Sequence, residues 1–115
     1  GEGSAEEGRP EIEQRARAAI RNHLTDAGFG VADLANILAM SRSSLYRKLK
    51  AESDITPSAL LRRVRMEEAA ALLRDGNPVT QVAYAVGYES LSAFTTAFKN
   101  ERDVAPSKYR AKAGR

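Results

Sequence analysis

At 115 residues the chain has room for one compact domain, or for two small ones sharing a core. Its residues are 43% hydrophobic and 29% charged, as in a globular protein, and with no cysteine it can form neither a disulfide nor a thiolate metal site. The net charge of +3 hides an asymmetry: residues 1–14 carry five glutamates against Arg9 alone, so from Arg15 onward seventeen Lys and Arg stand against ten Asp and Glu. That excess suits an anionic partner, nucleic acid ahead of a membrane.

The opening "GEGSAEEGRP" begins with Gly rather than Met and reads as a linker or cloning remnant, which makes the chain a piece of something longer. It is acidic and Gly-rich, unlike a secretory signal, and no apolar run approaches the roughly 18 residues of a spanning helix. A cytoplasmic location without membrane contact is expected. Residues 11–24 then form a first helix with Ile12, Ala16, Ala19 or Ile20, and His23 near one face. His23, the only histidine, is expected to pack or to lie at the surface.

After Gly30, an acceptable cap, Val31, Leu34, Ala35 and Leu38 follow the i, i+3, i+4, i+7 pattern of an amphipathic helix. Ser41 caps the next helix, whose buried stripe is Leu45 and Leu49. Thr56-Pro57 opens an 18-residue helix that stops at Asp75-Gly76 and spans roughly 27 Å at 1.5 Å per residue. Asn77 is read as the cap of the following helix, with Pro78 at its first position. Gly87 marks a turn, Ser90 caps a helix burying Phe94 and Phe98, and a short helix follows Pro106 through Tyr109. No β-alternation of useful length interrupts this, so an all-α domain of about seven helices is expected.

The chain also repeats itself. Leu34, Ala35, Leu38, Ala39 and Met40 fall on Val82, Ala83, Val86, Gly87 and Tyr88. One residue is then inserted, after which Ser41, Leu45, Leu49, Lys50, Asp54 and Pro57-Ser58 fall on Ser90, Phe94, Phe98, Lys99, Asp103 and Pro106-Ser107. Each copy is a pair of short helices around a tight turn, a helix-turn-helix. The division expected is a first subdomain at 11–56, a linker helix at 57–75 and a second subdomain at 76–112.

With the apolar stripes turned inward, the second helix of each copy (about 42–51 and 91–101) presents a polar stripe. It comprises Ser43, Tyr46, Arg47 and Lys50 in the first copy, and Ser92, Thr95, Thr96 and Lys99 in the second. Hydroxyls can serve any base edge, Arg forks onto guanine, and Lys at a helix end reaches phosphate. The helix starts at Ser41 and Ser90 offer backbone N–H groups to phosphate. A long helix between the copies can set two readers about one DNA turn, roughly 34 Å, apart. Plainer roles stand beside these. Arg47 could brace the fold by pairing with Glu67 or Glu68. Arg62, Arg63 and Arg65 could be solvated or touch phosphate, and Tyr88 and Tyr109 read as core or anchoring residues.

The stretches "VADLANILAMSRSSLYRKLK", "ITPSALLRRVRMEEAAALL" and above all "VAYAVGYESLSAFTTAFKNERDVAPSKYR" resemble the DNA-binding domain of the AraC/XylS family of bacterial transcription regulators. The likeness covers about residues 11–111. It implies two helix-turn-helix units on a long linker helix, in adjacent major grooves of double-stranded promoter DNA. It further implies base-facing roles for Ser43, Ser44, Tyr46 and Arg47 and for Leu91, Ser92, Thr95 and Thr96. Arg42, Lys50, Arg62, Ser90 and Lys99 match places that meet the backbone. RNA polymerase and a sensor, effector or dimerisation domain of the same parent chain are the implied protein partners. The chain departs from the family pattern at Asp54 and Asp103, where Gly is usual, and at Ser53, Arg102 and Ala105. Thr96 replaces a common cation, so the second reader is expected to add less affinity. A basic protein-docking module is the competing reading. An enzyme is disfavoured by one histidine and no phosphate loop, and no cofactor is expected.

Overall fold

The computed structural model describes residues 8–113, so the expected leading remnant at 1–10 lies, through residue 7, outside the described residues. Seven helices and no strand occur among them. They are α1 (Glu11–Asn22), α2 (Val31–Ile37), α3 (Arg42–Ser53), α4 (Pro57–Arg74), α5 (Val79–Ala85), α6 (Leu91–Arg102) and α7 (Pro106–Ala113). The chain divides into two compact units. One holds the chain through His23 together with Phe29–Arg62; the other holds Leu24–Gly28 and everything from Arg63.

In the first unit α1, α2 and α3 pack on one another in all three pairings. Ile12, Ala16 and Ile20 are buried, as are Leu34, Ala35 and Leu38 of α2 and its C-cap, and Leu45 and Leu49 of α3. These are the residues that helical periodicity picks out. Two polar residues join them on α1, Glu13 and Arg17, with Arg17 only 2% exposed. Arg17 Nε donates to Glu13 Oε2 at 2.8 Å, and Arg9 Nε lies 3.5 Å from the same oxygen. Burial pushes the Glu13 carboxyl up, but the Arg17 hydrogen bond and the Arg17 and Arg9 charges, with the Ser53 hydroxyl nearby, outweigh it and hold the group below its ordinary value. The Ser53 hydroxyl is itself buried and has no hydrogen-bond partner among the described residues. The helix expected to reach residue 24 ends at Asn22, and His23 leaves it to stack flat on Phe29, with ring centroids 4.7 Å apart.

The second unit buries Met66, Ala69, Ala70 and Leu73 of α4 against Val82, Ala83, Val86, Phe94 and Phe98. Four rings run through it in sequence: Tyr88 to Phe94 at 5.7 Å, Phe94 to Phe98 at 5.7 Å, and Phe98 to Tyr109 at 5.4 Å. Both tyrosines thus take the packing role expected of them. Asn77 does not cap α5, which starts one residue later behind Pro78. Its backbone N–H donates to Leu72 O at 3.2 Å and its side-chain Nδ2 to the same oxygen at 2.9 Å, while Gly76 N–H donates to Leu73 O. Asn77 thereby closes the end of α4, with Gly76 left-handed at φ +94°.

The turns inside the two helix pairs share one hydrogen-bond pattern. Met40 N–H donates to Ala35 O and Ala39 N–H to Asn36 O; Tyr88 N–H donates to Ala83 O and Gly87 N–H to Tyr84 O. The residue at the bend is left-handed in both, Ala39 at φ +59° and Gly87 at φ +88°. The second turn has a further demand. Buried Arg65 of α4 donates to Val86 O at 2.7 Å, Leu24 O at 3.0 Å and Asp26 O at 3.1 Å, and a Cβ on Gly87 would fall on its Nη1. Burial lowers the Arg65 pKa, which nearby Tyr88 and Asp26 partly offset. Of the two plain roles expected for Arg65, solvation and phosphate contact, neither holds: the cation braces three carbonyls inside the second unit.

Two stability predictions follow from these packings. Gly87→Ala should destabilise the protein by about 3 kcal/mol, combining left-handed strain with loss of the Arg65 bonds, whereas Ala39→Gly should be neutral to stabilising by up to about 1 kcal/mol. Urea unfolding followed by circular dichroism checks both. Glu13, held below its ordinary pKa, stabilises the fold fully above about pH 5, and this is lost as pH falls through its folded-state pKa. Glu13→Gln should therefore cost about 2 kcal/mol at pH 7, and the difference from the parent should shrink in acid, as unfolding curves from pH 7 to 3 would record.

Candidate nucleic-acid interface

α3 and α6 are each started by a serine and fastened by two apolar side chains one turn apart. Ser41 Oγ accepts from Ser44 N–H at 3.0 Å and Ser90 Oγ from Ala93 N–H at 3.1 Å, the capping expected of both. Leu45 and Leu49 hold α3, and Phe94 and Phe98 hold α6, all four with no measurable exposure. The opposite side of α3 is then fixed in solvent. Arg42, Ser43, Tyr46, Arg47 and Lys50 are exposed, and Ser44 is half-buried at the edge of the stripe. On α6, Leu91, Ser92, Thr96 and Lys99 are exposed and Thr95 is half-buried. Arg62 is exposed on the part of α4 that belongs to the first unit.

Within α3 the polar side chains engage one another. Ser41 Oγ donates to Ser44 Oγ at 3.0 Å, and Arg47 Nη2 donates to Ser44 Oγ at 3.3 Å. Arg47 also borders two shallow open grooves. One holds Arg42, Ser43 and Tyr46 beside Thr56 and Pro57 at the start of α4; the other holds Met40, Ser41, Ser44 and Lys48. Lys50 Nζ lies 3.2 Å from Asp54 Oδ1, whose side chain is 92% exposed, so the pair is solvent-screened and worth little.

α3 and α6 end alike. Asp54 (φ +52°) and Asp103 (φ +61°) are left-handed C-caps whose N–H groups donate to Lys50 O and Lys99 O. Aspartate thus occupies, at both places, a left-handed position that favours Gly. Thr56 Oγ1 accepts from Ala59 N–H at 3.2 Å and caps α4 as expected, while Ala105 has no hydroxyl with which to do the same for α7.

Cations outside the two stripes divide by burial. Arg65 is committed to backbone carbonyls. Arg110 Nε donates to Asn77 O at 2.9 Å and its Nη2 to Gly76 O at 2.6 Å, and Arg74 Nη1 donates to Tyr109 Oη at 2.7 Å. The Arg65 role had one visible signal: it stands four residues from Leu61 and from Ala69, inside a buried stripe. The Ser44 bonds had none, since hydroxyl and guanidinium at i, i+3 are equally common on solvated helices. No helix among the described residues is long and apolar enough to cross a membrane.

Comparison with known proteins agrees with this geometry. A family model described as a helix-turn-helix domain matches residues 34–112. A Streptomyces lividans protein named as an AraC-like transcription regulator is 44% identical over 81 residues, which cover 70% of this chain and 27% of that protein. Among solved structures, a DNA-binding transcriptional dual regulator from Escherichia coli K-12 is 30% identical with a TM-score of 0.82, covering 96% of this chain and 97% of the other. The C-terminal domain of AraT, a response regulator from Geobacillus stearothermophilus, is 35% identical with a TM-score of 0.81, covering 91% and 88%. The first curated relatives are longer proteins, of which this chain spans about a third or less. With two capped, apolar-anchored helices at matching places in a repeat, and with these relatives, the chain belongs to the AraC/XylS family of helix-turn-helix DNA-binding domains.

Proposed function

We propose that this chain is the sequence-specific DNA-binding module of a bacterial transcription regulator, and that α3 and α6 enter adjacent major grooves of promoter DNA. The observation that carries the reading is the duplication of one device. Two helices of equal length have the same serine cap, the same buried pair and a polar outward stripe ending in lysine. A helix of about 10–12 Å diameter matches the roughly 12 Å width of the major groove, where hydroxyls and Arg can read base edges.

In this reading Ser43, Ser44, Tyr46 and Arg47 lie on the base-facing side of α3, and Leu91, Ser92, Thr95 and Thr96 on that of α6. Arg42, Lys50, Arg62 and Lys99 meet phosphates, as do the capped helix starts at Ser41 and Ser90. α3 carries four cations and α6 only Lys99 and Arg102, so the first reader contributes more of the electrostatic affinity. Recruitment or blocking of RNA polymerase, and control by a sensor, effector or dimerisation domain of the parent chain, complete the proposal. A docking module for another protein would need clustered apolar anchors on these faces. Each face instead offers one, Tyr46 at 49% and Leu91 at 40% exposure, among polar neighbours.

Selection from a random duplex library at physiological salt tests the reading, and two short motifs about one helical turn apart are expected. No enrichment, with weak binding that fades in salt, would refute sequence-specific recognition. Arg47→Ala should relax base preference in one motif and weaken specific binding by about 1–3 kcal/mol, measured by competition against permuted sites. Lys99→Ala and Lys50→Ala should each weaken all sequences alike and flatten the salt dependence of binding by about one unit, read from titrations at several salt concentrations.

A further inference from the structure

We infer that Ser44 is a positioning residue for Arg47: through the Ser41–Ser44–Arg47 chain of hydrogen bonds it sets the discrimination that Arg47 exerts, and it does not itself select a base. The inference rests on the reading of α3 as a DNA-reading helix and adds a division of labour within it. Ser44 Oγ accepts twice, from Ser41 Oγ at 3.0 Å and from Arg47 Nη2 at 3.3 Å, which uses both its lone pairs. What remains to it is a single O–H donor, while the oxygen itself is held by Ser41 and Arg47. Its backbone N–H is also taken, by Ser41 Oγ at 3.0 Å, so the serine is held from two sides while Arg47 projects from it into solvent.

A long flexible cation loses rotamer freedom when it docks on a base edge, and a bond that favours one rotamer beforehand lessens that loss. At 3.3 Å the bond is long. It biases the guanidinium without locking it, which suits a side chain that must still adjust to a base.

The second copy of the unit supplies an internal control. The cap bond is the same there, with Ser90 Oγ accepting from Ala93 N–H at 3.1 Å. At the place of Ser44 stands Ala93, and at the place of Arg47 stands Thr96. Where the reader is an arginine a hydroxyl sits three residues before it; where the reader is a short threonine that needs no orientation, the hydroxyl is absent. A hydroxyl kept for capping would have the same use in both copies, since the cap bond is present in each.

The test is competition binding of the 115-residue chain to duplexes with each base pair of the first motif permuted in turn, for the parent and for Arg47→Ala, Ser44→Ala, Ser44→Thr and the Ser44→Ala/Arg47→Ala double variant. Arg47→Ala locates the base pair that Arg47 reads. Ser44→Ala should lower discrimination at that same base pair by about fivefold and leave the salt slope unchanged. Ser44→Thr should restore it, and the double variant should discriminate no worse than Arg47→Ala alone. Unfolding midpoints should match throughout, because the cap acceptor is Ser41. Loss of discrimination at a different base pair, or full additivity in the double variant, would show that Ser44 reads on its own and overturn the inference. If Ser44→Ala moves the unfolding midpoint and weakens all sequences alike, the hydroxyl is structural and the inference again fails. Undiminished preference in Arg47→Ala would overturn both the inference and the reading of Arg47 beneath it, whereas the preceding outcomes leave that reading standing.

Discussion

A twelve-residue helix can keep only one face dry, and everything else in each unit depends on which face that is. In α3 the choice is made by Leu45 and Leu49, and in α6 by Phe94 and Phe98, each pair one turn apart and fully enclosed. Side chains four residues apart lie one above the other on a helix, so two such anchors fix both rotation and tilt. Once they are seated, the outward residues have no freedom to be anything but outward. The polar stripes are thus consequences of the apolar pairs, and burying four side chains presents two surfaces.

The tight turns convert this anchoring into a definite angle between the helices of each pair. One residue in the left-handed region lets the chain reverse while two backbone N–H groups recover the carbonyls that a helix end would leave bare. The units solve that problem with different side chains because their surroundings differ. Ala39 has room for its methyl group and tolerates mild strain, whereas Gly87 sits under the Arg65 guanidinium. Aspartate ends both reading helices in the same backbone region, where a short polar side chain is tolerated better than most.

Most of the fold was legible in the sequence, because helix periodicity, serine caps and Gly or Pro punctuation act locally and agree with one another. Ser41 and Ser90 were readable as caps since each stands just before an apolar stripe that begins four residues on. The repeat did more, because a pattern seen twice in register separates core from surface where one copy could not. What stayed hidden depended on contacts distant along the chain. Arg65 donates to carbonyls of residues 21 to 41 positions away, and its commitment could be suspected only from its place in a buried stripe. Asn77 was misread because Asn before Pro signals a helix start as readily as a helix end, and the hydrogen bonds to Leu72 decide between them. Nothing in the sequence around Glu13 and Arg17 distinguishes them from the exposed charges of the same helix, yet both are buried. Among the proposed contact residues the stripes were legible from spacing, but the bonds linking Ser41, Ser44 and Arg47 depend on rotamers, which spacing does not determine.

The brace between Arg65 and the second turn also limits the order in which such a turn can change. The arginine head occupies the volume that a methyl group at position 87 would need. A lineage moving from an alanine bend to a braced one therefore gains the brace only once glycine is present, since an arginine arriving against alanine would find its place beneath the bend filled. Glycine alone is tolerated at such a bend, and arginine braces it only afterwards. Reversal is costly in the same way: once the guanidinium is seated, a methyl group at position 87 displaces it from its carbonyls. The two halves of this chain can drift apart at that turn far more readily than they can drift back together.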